Sequence, residues 1–420
     1  MSETKQAKVP EIRFKGFSGE WGVVGLLDNI AKIIDFRGRT PKKLGLDWSA
    51  SGYRALSALN VKQGYIDFSI DPHFGNQELY DKWMSGSELH KDQVLFTTEA
   101  PMGNVAQIPN SDKYILSQRT IAFVVKPKVI TENFLAVLLR SPKVFQELSA
   151  LSSGGTAKGV SQRVLAKINI TLPRELTEQT SIGNTFQKLD NLINQHQQKH
   201  DTLSNIKKAI LEKMFPKQGE TVPEIRFKGF SGEWEEKELG TDVAEIIGGG
   251  TPSTAISEFW DGDIDWYSPT EIGKRVYANG SEKKITALGL KSSSAKILPA
   301  GNTVLFTSRA GIGDMAILAK PGATNQGFQS LVVKEGFSPY FLYSSGKLIK
   351  EFALKHASGS TFLEVSGKQL GRMKILMPNY EEQTTIGNYF QKLDTLIDQH
   401  QQQLTKLNNI KQACLSKMFV

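Results

Sequence analysis

EQTSIGNTFQKLDNLINQHQQKHDTLSNIKKAILEKMF (residues 178–215) and EQTTIGNYFQKLDTLIDQHQQQLTKLNNIKQACLSKMF (residues 382–419) are one pattern written twice, identical at 26 of 38 positions. In the first copy apolar residues recur at Ile182, Phe186, Leu189, Ile193, Leu203, Ile206, Ile210 and Met214. In the second they recur at Ile386, Phe390, Leu393, Ile397, Leu404, Leu407, Ile410 and Met418. Steps of three and four are the spacing of a helix with a coiled-coil stripe. Neither copy contains proline, while Pro173 and Pro216 bracket the first and Pro378 precedes the second. Thr177 or Thr180 stands where a helix cap belongs. At about 1.5 Å per residue each copy predicts a helix of roughly 57 Å. A stripe that long and narrow needs a partner, and two copies in one chain supply it. The expectation is an antiparallel coiled coil with a pseudo-two-fold axis. The polar QHQQ runs around His196 and His400 would lie at its middle, solvated or setting the register rather than binding metal.

A second exact repeat precedes each variable stretch: PEIRFKGFSGEW occupies residues 10–21 and again 223–234. The sequence between the repeats shares only fragments. VLFT recurs at 94–97 and 304–307, Ser153-Gly154 with Val160-Ser161 matches Ser358-Gly359 with Val365-Ser366, and INITLP (168–173) resembles MKILMP (373–378). The organisation reads as variable domain 1–177, helix 178–215, variable domain 216–381 and helix 382–420. Even ageing after a duplication would leave both parts equally alike. A constant helix with divergent domains fits one shared task and two different ones. A frame holding two readers of different targets has this form. A duplicated scaffold that organises protein partners is the alternative.

Each variable domain mixes short apolar strands, turns and one helical stretch, so the fold class is α+β. In the second, GGGTP (248–252) is a turn, and 264–267, 303–306, 315–318 and 330–334 read as strands. Residues 337–356 read as a helix. The first follows the same order, with GRTP at 38–41, strands at 94–97 and 120–126, and a helix near 132–151.

With 39% hydrophobic and 22% charged residues, the chain of 420 can bury ordinary cores. Its apolar runs, such as 134–139, fall far short of the ~20 residues of a bilayer span. Residues 1–10 lack the apolar core of a secretory signal. A single cysteine, Cys414, excludes an internal disulfide and points to a reducing cytoplasm, and it reads as a core position of the second helix. The formal charge of +8 suits a polyanion partner.

No phosphate-binding Gly-Lys loop, His-Glu-x-x-His or Gly-x-Ser-x-Gly is present, and no two prolines are adjacent. Asp261, Asp263 and Asp265 alternate along FWDGDIDWY, which reads as a strand and not a calcium loop. Base edges are read by donors and acceptors on Arg, Lys, Asn, Gln, Ser and Thr. The loop candidates in the first domain are Arg37, Arg39, Thr40, Lys42, Lys43, Thr97, Thr98, Gln118, Arg119, Lys158, Gln162 and Arg163. In the second they are Thr251, Ser253, Thr307, Ser308, Arg309, Asn325, Gln326, Lys368, Gln369 and Arg372.

The order of domains and helices resembles the specificity subunits of type I restriction–modification systems. The marks are the PEIRFKGFSGEW repeat, Gly250-Thr251-Pro252, residues 259–264 (FWDGDI), Ser308-Arg309 with Gly313, Asn325-Gln326-Gly327, and the EQ…IG…F…LD opening of each helix. The first domain keeps Gly38-Arg39-Thr40-Pro41 but lacks a Phe-Trp-x-Gly-x-Ile block. The resemblance implies two target-recognition domains, each reading half of a bipartite site in double-stranded DNA, with the helices setting the gap. It implies two methyltransferase subunits that methylate adenine N6 and a motor–nuclease restriction subunit, with no membrane partner. S-adenosylmethionine, ATP and Mg2+ would then belong to those partners. This chain itself would be non-catalytic and bind no cofactor.

Overall fold

In this computed structural model the described residues are 9–152, 159–309, 311–359 and 363–420. The chain forms two compact units: residues 1–197 with 402–420, and residues 198–401. The division cuts through both long helices, Leu176–Met214 and Tyr380–Lys417. Each unit therefore contains one variable domain and half of each helix, a partition that the linear order does not display.

Within the first unit the two half-helices run antiparallel. Lys411 pairs with Asp190 at 2.6 Å, and Phe186 packs on Phe419 with ring centroids 6.2 Å apart. Within the second unit the counterpart pair is Lys207 with Asp394. Ile182, Phe186, Ile386, Phe390, Leu393 and Leu404 are buried; Leu189, Leu203 and Ile210 pack against the cores while partly exposed; Ile193, Ile397 and Leu407 are half-buried. Cys414 packs at the edge of the first unit's core. Thr180 is not a cap: its hydroxyl donates to the carbonyl of Leu176. In the second helix the side chain of Asn379 takes the Glu382 N–H instead.

The constancy of the repeats has a packing cause. Glu178 accepts from Arg13 Nε (2.7 Å) and Nη2 (2.8 Å), and also from the Trp21 indole. Glu382, fully buried, accepts from Arg226 Nε (2.7 Å) and Nη2 (2.6 Å). The next residue, Gln179 or Gln383, accepts from the N–H of Thr131 or Ser338, where a helix of the variable domain begins. Gly183 is packed so tightly that a Cβ would lie 2.6 Å from Asn133. Each PEIRFKGFSGEW segment also closes a helix end: Ile12 N–H donates to Lys417 O, and Ile225 N–H to Lys213 O. These constant positions thus tie the helices to a domain wall.

The variable domains share one sheet plan. In the first unit the strands are ordered Ile30–Asp35, Thr120–Val125, Val94–Thr97, Val105–Gln107. In the second the order is Ala244–Gly248, Gln329–Val333, Thr303–Phe306, Met315–Leu318, with Tyr277–Ala278 added at the edge. A smaller sheet follows in each. Tyr53–Leu56 pairs in parallel with Tyr114–Leu116, as Trp260–Tyr267 pairs with Gly322–Thr324. The first domain therefore has the strand that the missing Phe-Trp block supplies in the second. The three aspartates Asp261, Asp263 and Asp265 do lie on that second-domain strand. The stretch 337–356 divides into Pro339–Ser344 and Gly346–His356, and 132–151 into Glu132–Leu138 and Pro142–Leu151. Pro142, lacking an N–H, starts a new helix more readily than it continues one.

Candidate nucleic-acid interface

The central strand of each domain runs into a short loop, and the same three backbone segments meet there. In the second unit Thr307 bridges Phe328, Ser308 N–H donates to Gly327 O (2.8 Å), and Val365 N–H donates to Ser308 O (3.1 Å). In the first unit Thr98 N–H donates to Arg119 O (2.8 Å), and Val160 N–H donates to Thr98 O (2.8 Å). The threonine at the strand end is buried in both. Thr97 donates to Pro101 O and accepts from Asn104 N–H; Thr307 donates to Gly311 O and accepts from Asp314 N–H. These hydroxyls brace the loop and are turned away from solvent. Thr98 and Ser308 are buried as well, so their contribution is through backbone geometry.

The exposed polar groups gather around this junction. In the second unit Thr251 bonds to Gln326, and Asn325 accepts from Gly327 N–H. Thr251 is delivered there by a turn with no room for side chains. A Cβ on Gly249 would fall 1.9 Å from Asn325 O, and Gly250 N–H donates to Thr324 O. Arg309 faces Glu364 across an ion pair of 3.9 Å. Ser253 is exposed on the same turn, its carbonyl accepting from the Trp260 indole. Lys368 and Arg372 are exposed on and just after the short helix Gly367–Gly371. Gln369 is engaged in that helix's capping box and donates to His356 O.

In the first unit Arg37 chelates Asp35, reaches Val160 O at 3.4 Å, and shares Asp35 with Gln162. Burial would raise the Asp35 pKa, but hydrogen bonds from Arg37 and Gln162 outweigh it and hold the carboxyl below its ordinary value. The guanidinium of Arg37 is correspondingly raised, first through its hydrogen bond to Asp35. Arg37, Gln162 and Arg119 are thus brought to one junction; Gln118 beside Arg119 and Arg163 beside Gln162 are exposed. Arg39 is directed elsewhere, lying 4.3 Å over the Phe36 ring and donating to Trp83 O. Thr40 caps a short turn, Lys43 donates to Gly38 O, and Lys42 is exposed. Lys158 lies outside the described residues.

Two residues of the junction, Glu99 and Glu364, escaped the sequence reading, because a carboxylate is not an obvious DNA contact. Their positions relative to VLFT and Val160/Val365 were the available signal. Among the described residues no group of three His, Cys, Asp or Glu is placed to hold a metal, and no helix is long and apolar enough to cross a membrane. A groove of about 1170 Å³ in the second unit, lined by residues such as Lys207, Phe215, Lys347 and Ile375, includes none of the candidate reading residues.

A family model described as "Type I restriction modification DNA specificity domain" matches residues 20–205 and 231–409. The chain is 36% identical over 192 residues to the type I restriction enzyme MjaIX specificity subunit of Methanocaldococcus jannaschii, covering 45% of this chain and 44% of that relative. It is 34% identical over 174 residues to the EcoR124I/EcoR124II specificity subunit of Escherichia coli, covering 39% of this chain and 42% of that relative. These matches thus span less than half the length of either relative. In fold, the chain resembles the crystal structure of a type I restriction–modification S subunit from M. genitalium, with TM-score 0.70, 16% identity, and coverage of 98% and 99% of the two chains.

Proposed function

The chain belongs to the type I restriction–modification DNA specificity family, and on that premise we propose that it reads a bipartite site in double-stranded DNA, one half per variable domain. The observation that carries this reading is the duplicated junction. The same three-segment meeting of backbone recurs in both units, yet the exposed side chains mounted on it differ. One scaffold with two sets of donors and acceptors is what two different half-sites require. Exposed lysines and arginines around the junction would take phosphates and fix register, and the remainder would read base edges.

The helices are the constant element, and their proposed tasks are to set the gap between half-sites and to dock partners. On the long helices Leu192 and Ile410 are exposed in the first unit, and Leu396 and Ile206 in the second. These are counterparts in the repeat, so a partner that fits one unit fits the other. Two methyltransferase subunits are the occupants we propose, with the restriction subunits joining them. S-adenosylmethionine, ATP and Mg2+ would serve those subunits; this chain would hold and orient the DNA in the cytoplasm without catalysing a reaction.

The test is co-expression with the adjacent methyltransferase gene product and genome-wide mapping of N6-methyladenine. A split motif, two defined halves around a fixed gap, is expected. Replacing residues 21–177 by another such domain should change one half only. A soluble complex that leaves no sequence-specific methylation would refute the reading.

A further inference from the structure

At each junction three positions correspond through their backbone hydrogen bonds. The first follows the residue whose N–H and C=O are both bound by neighbouring segments; it is Glu99 in one unit and Arg309 in the other. The second supplies the carbonyl that accepts from that bound residue; it is Arg119 or Gly327. The third pairs with the first position in an isolated antiparallel bridge; it is Gly159 or Glu364. The first unit thus reads Glu, Arg, Gly and the second Arg, Gly, Glu. At these three positions each junction holds one guanidinium, one carboxylate and one glycine, permuted among three backbone segments; the first unit's junction carries Arg37 and Asp35 beside them. The ions meet in both, Arg119 Nε–Glu99 Oε1 at 3.3 Å and Arg309 Nη1–Glu364 Oε2 at 3.9 Å.

Stability does not explain the arrangement. All four side chains are one-third to one-half exposed, and exposed pairs are worth roughly 0–1 kcal/mol or less. Arg119 also adopts a left-handed backbone, φ +62°, which its counterpart Gly327 does not share. A glycine would sit there without the side-chain penalty of that conformation. Such outliers concentrate where function over-determines the backbone. A Cβ at Gly327 would lie 2.7 Å from Pro269 Cγ and 2.9 Å from Asn325 Oδ1, so a side chain there requires a neighbour to move. The second unit carries its arginine on another segment.

Resting on the bipartite-site reading, we propose that this junction is the base-reading head of each domain. Arg119 and Arg309 each donate to an acceptor pair on a purine edge in the major groove. Glu99 and Glu364 are positioning residues that aim the guanidinium, and the glycine leaves the gap by which DNA approaches. The nearest approaches of the carboxylates are to Arg119 Nε and to Arg309 Nη1. A guanidinium presents two donor pairs, Nη1/Nη2 and Nε/Nη2, and either suits the O6/N7 edge of guanine. The two arginines enter from different strands, so the bases they address occupy different places in their half-sites.

The experiment uses the complex co-expressed with its methyltransferase and the methylated motif as readout. Arg119→Ala should relax one base position in one half-site and Arg309→Ala one position in the other. The expected loss of discrimination at that position is roughly 5- to 150-fold. Arg119→Lys should not restore the position, because a lysine lacks the fork. Glu99→Gln and Glu364→Gln should relax the same positions to a smaller degree with unchanged melting temperatures. An unaltered motif in the alanine variants would overturn the proposal, as would uniform weakening at every site or rescue by lysine, both marks of a phosphate contact. Absence of any split motif with the unsubstituted chain would overturn the parent reading itself, so the two failures are separable.

Discussion

Removal of the Glu382 carboxylate tests the claim that the constant segments are clamps. Glu382 is fully buried and receives two hydrogen bonds from Arg226, whose remaining donors reach the carbonyls of Gly232 and Ser231. The Glu382→Ala change strands a guanidinium whose side chain is 13% exposed. Breaking a buried pair on one side costs about 3–5 kcal/mol, because the desolvation of the remaining charge is no longer compensated. A unit of about 200 residues loses about 2–4 °C of melting temperature per kcal/mol. The expected fall is therefore about 6–20 °C in calorimetry of the purified chain. Arg226→Met combined with Glu382→Leu removes both charges and should recover much of that loss. A fall under about 2 °C for Glu382→Ala would refute the clamp, and so would a double variant whose loss equals the two single losses added together.

Three further outcomes follow from the same contacts. Phe390→Ala empties a fully buried site in the second unit's core and should cost about 3–5 kcal/mol in denaturant titration; a cost under 1 kcal/mol would contradict the packing described. Burial, aided by the charge of Asp394, pushes the Tyr343 phenol up to about 12, and burial with its hydrogen bond to Asp394 raises Tyr340 further. With an unfolded value near 10, the stabilising contribution is complete below pH 10 and declines as pH rises from 10 through 12; spectrophotometric titration should find tyrosines that ionise only on unfolding, whereas ten freely titrating phenols would count against the burial. Gly249→Ala sets a Cβ against Asn325 O and should displace the Thr251 turn, weakening methylation at motifs containing the second domain's half-site while circular dichroism stays unchanged; an intact methylation pattern would remove Thr251 and Gln326 from the interface.

The helices were legible because a 3.6-residue period needs only local sequence, and both lie within two residues of their predicted starts. The antiparallel pairing of the helices was legible from the doubled stripe, and Asp190 with Lys411 bears it out in the first unit; the division of the chain into two compact units was not, because it rests on contacts between residues far apart in the chain. The first domain's counterpart of residues 260–267 was hidden by the lack of a shared motif; Tyr53–Leu56 is defined by its parallel partner, not by its composition. Pro142 was a readable break within 132–151, whereas the break at Ser345 follows no proline.

The candidate site was readable as residue types and unreadable as an arrangement. Arg119 and Arg309 were identifiable as donors, but their equivalence appears only through hydrogen bonds to Thr98 and Ser308 from segments twenty to sixty residues away. Aligning the domains by sequence sets Glu99 against Arg309, which looks like a reversed charge and a lost function. The backbone shows a charge moved from one strand to its neighbour, with a glycine vacated and a glutamate relocated in step. Drift alone gives no reason for the three changes to occur together, since the pair adds little stability in either place. A requirement for one aimed guanidinium per domain does give a reason, and it also accounts for an arginine kept in a left-handed backbone that glycine would occupy more easily.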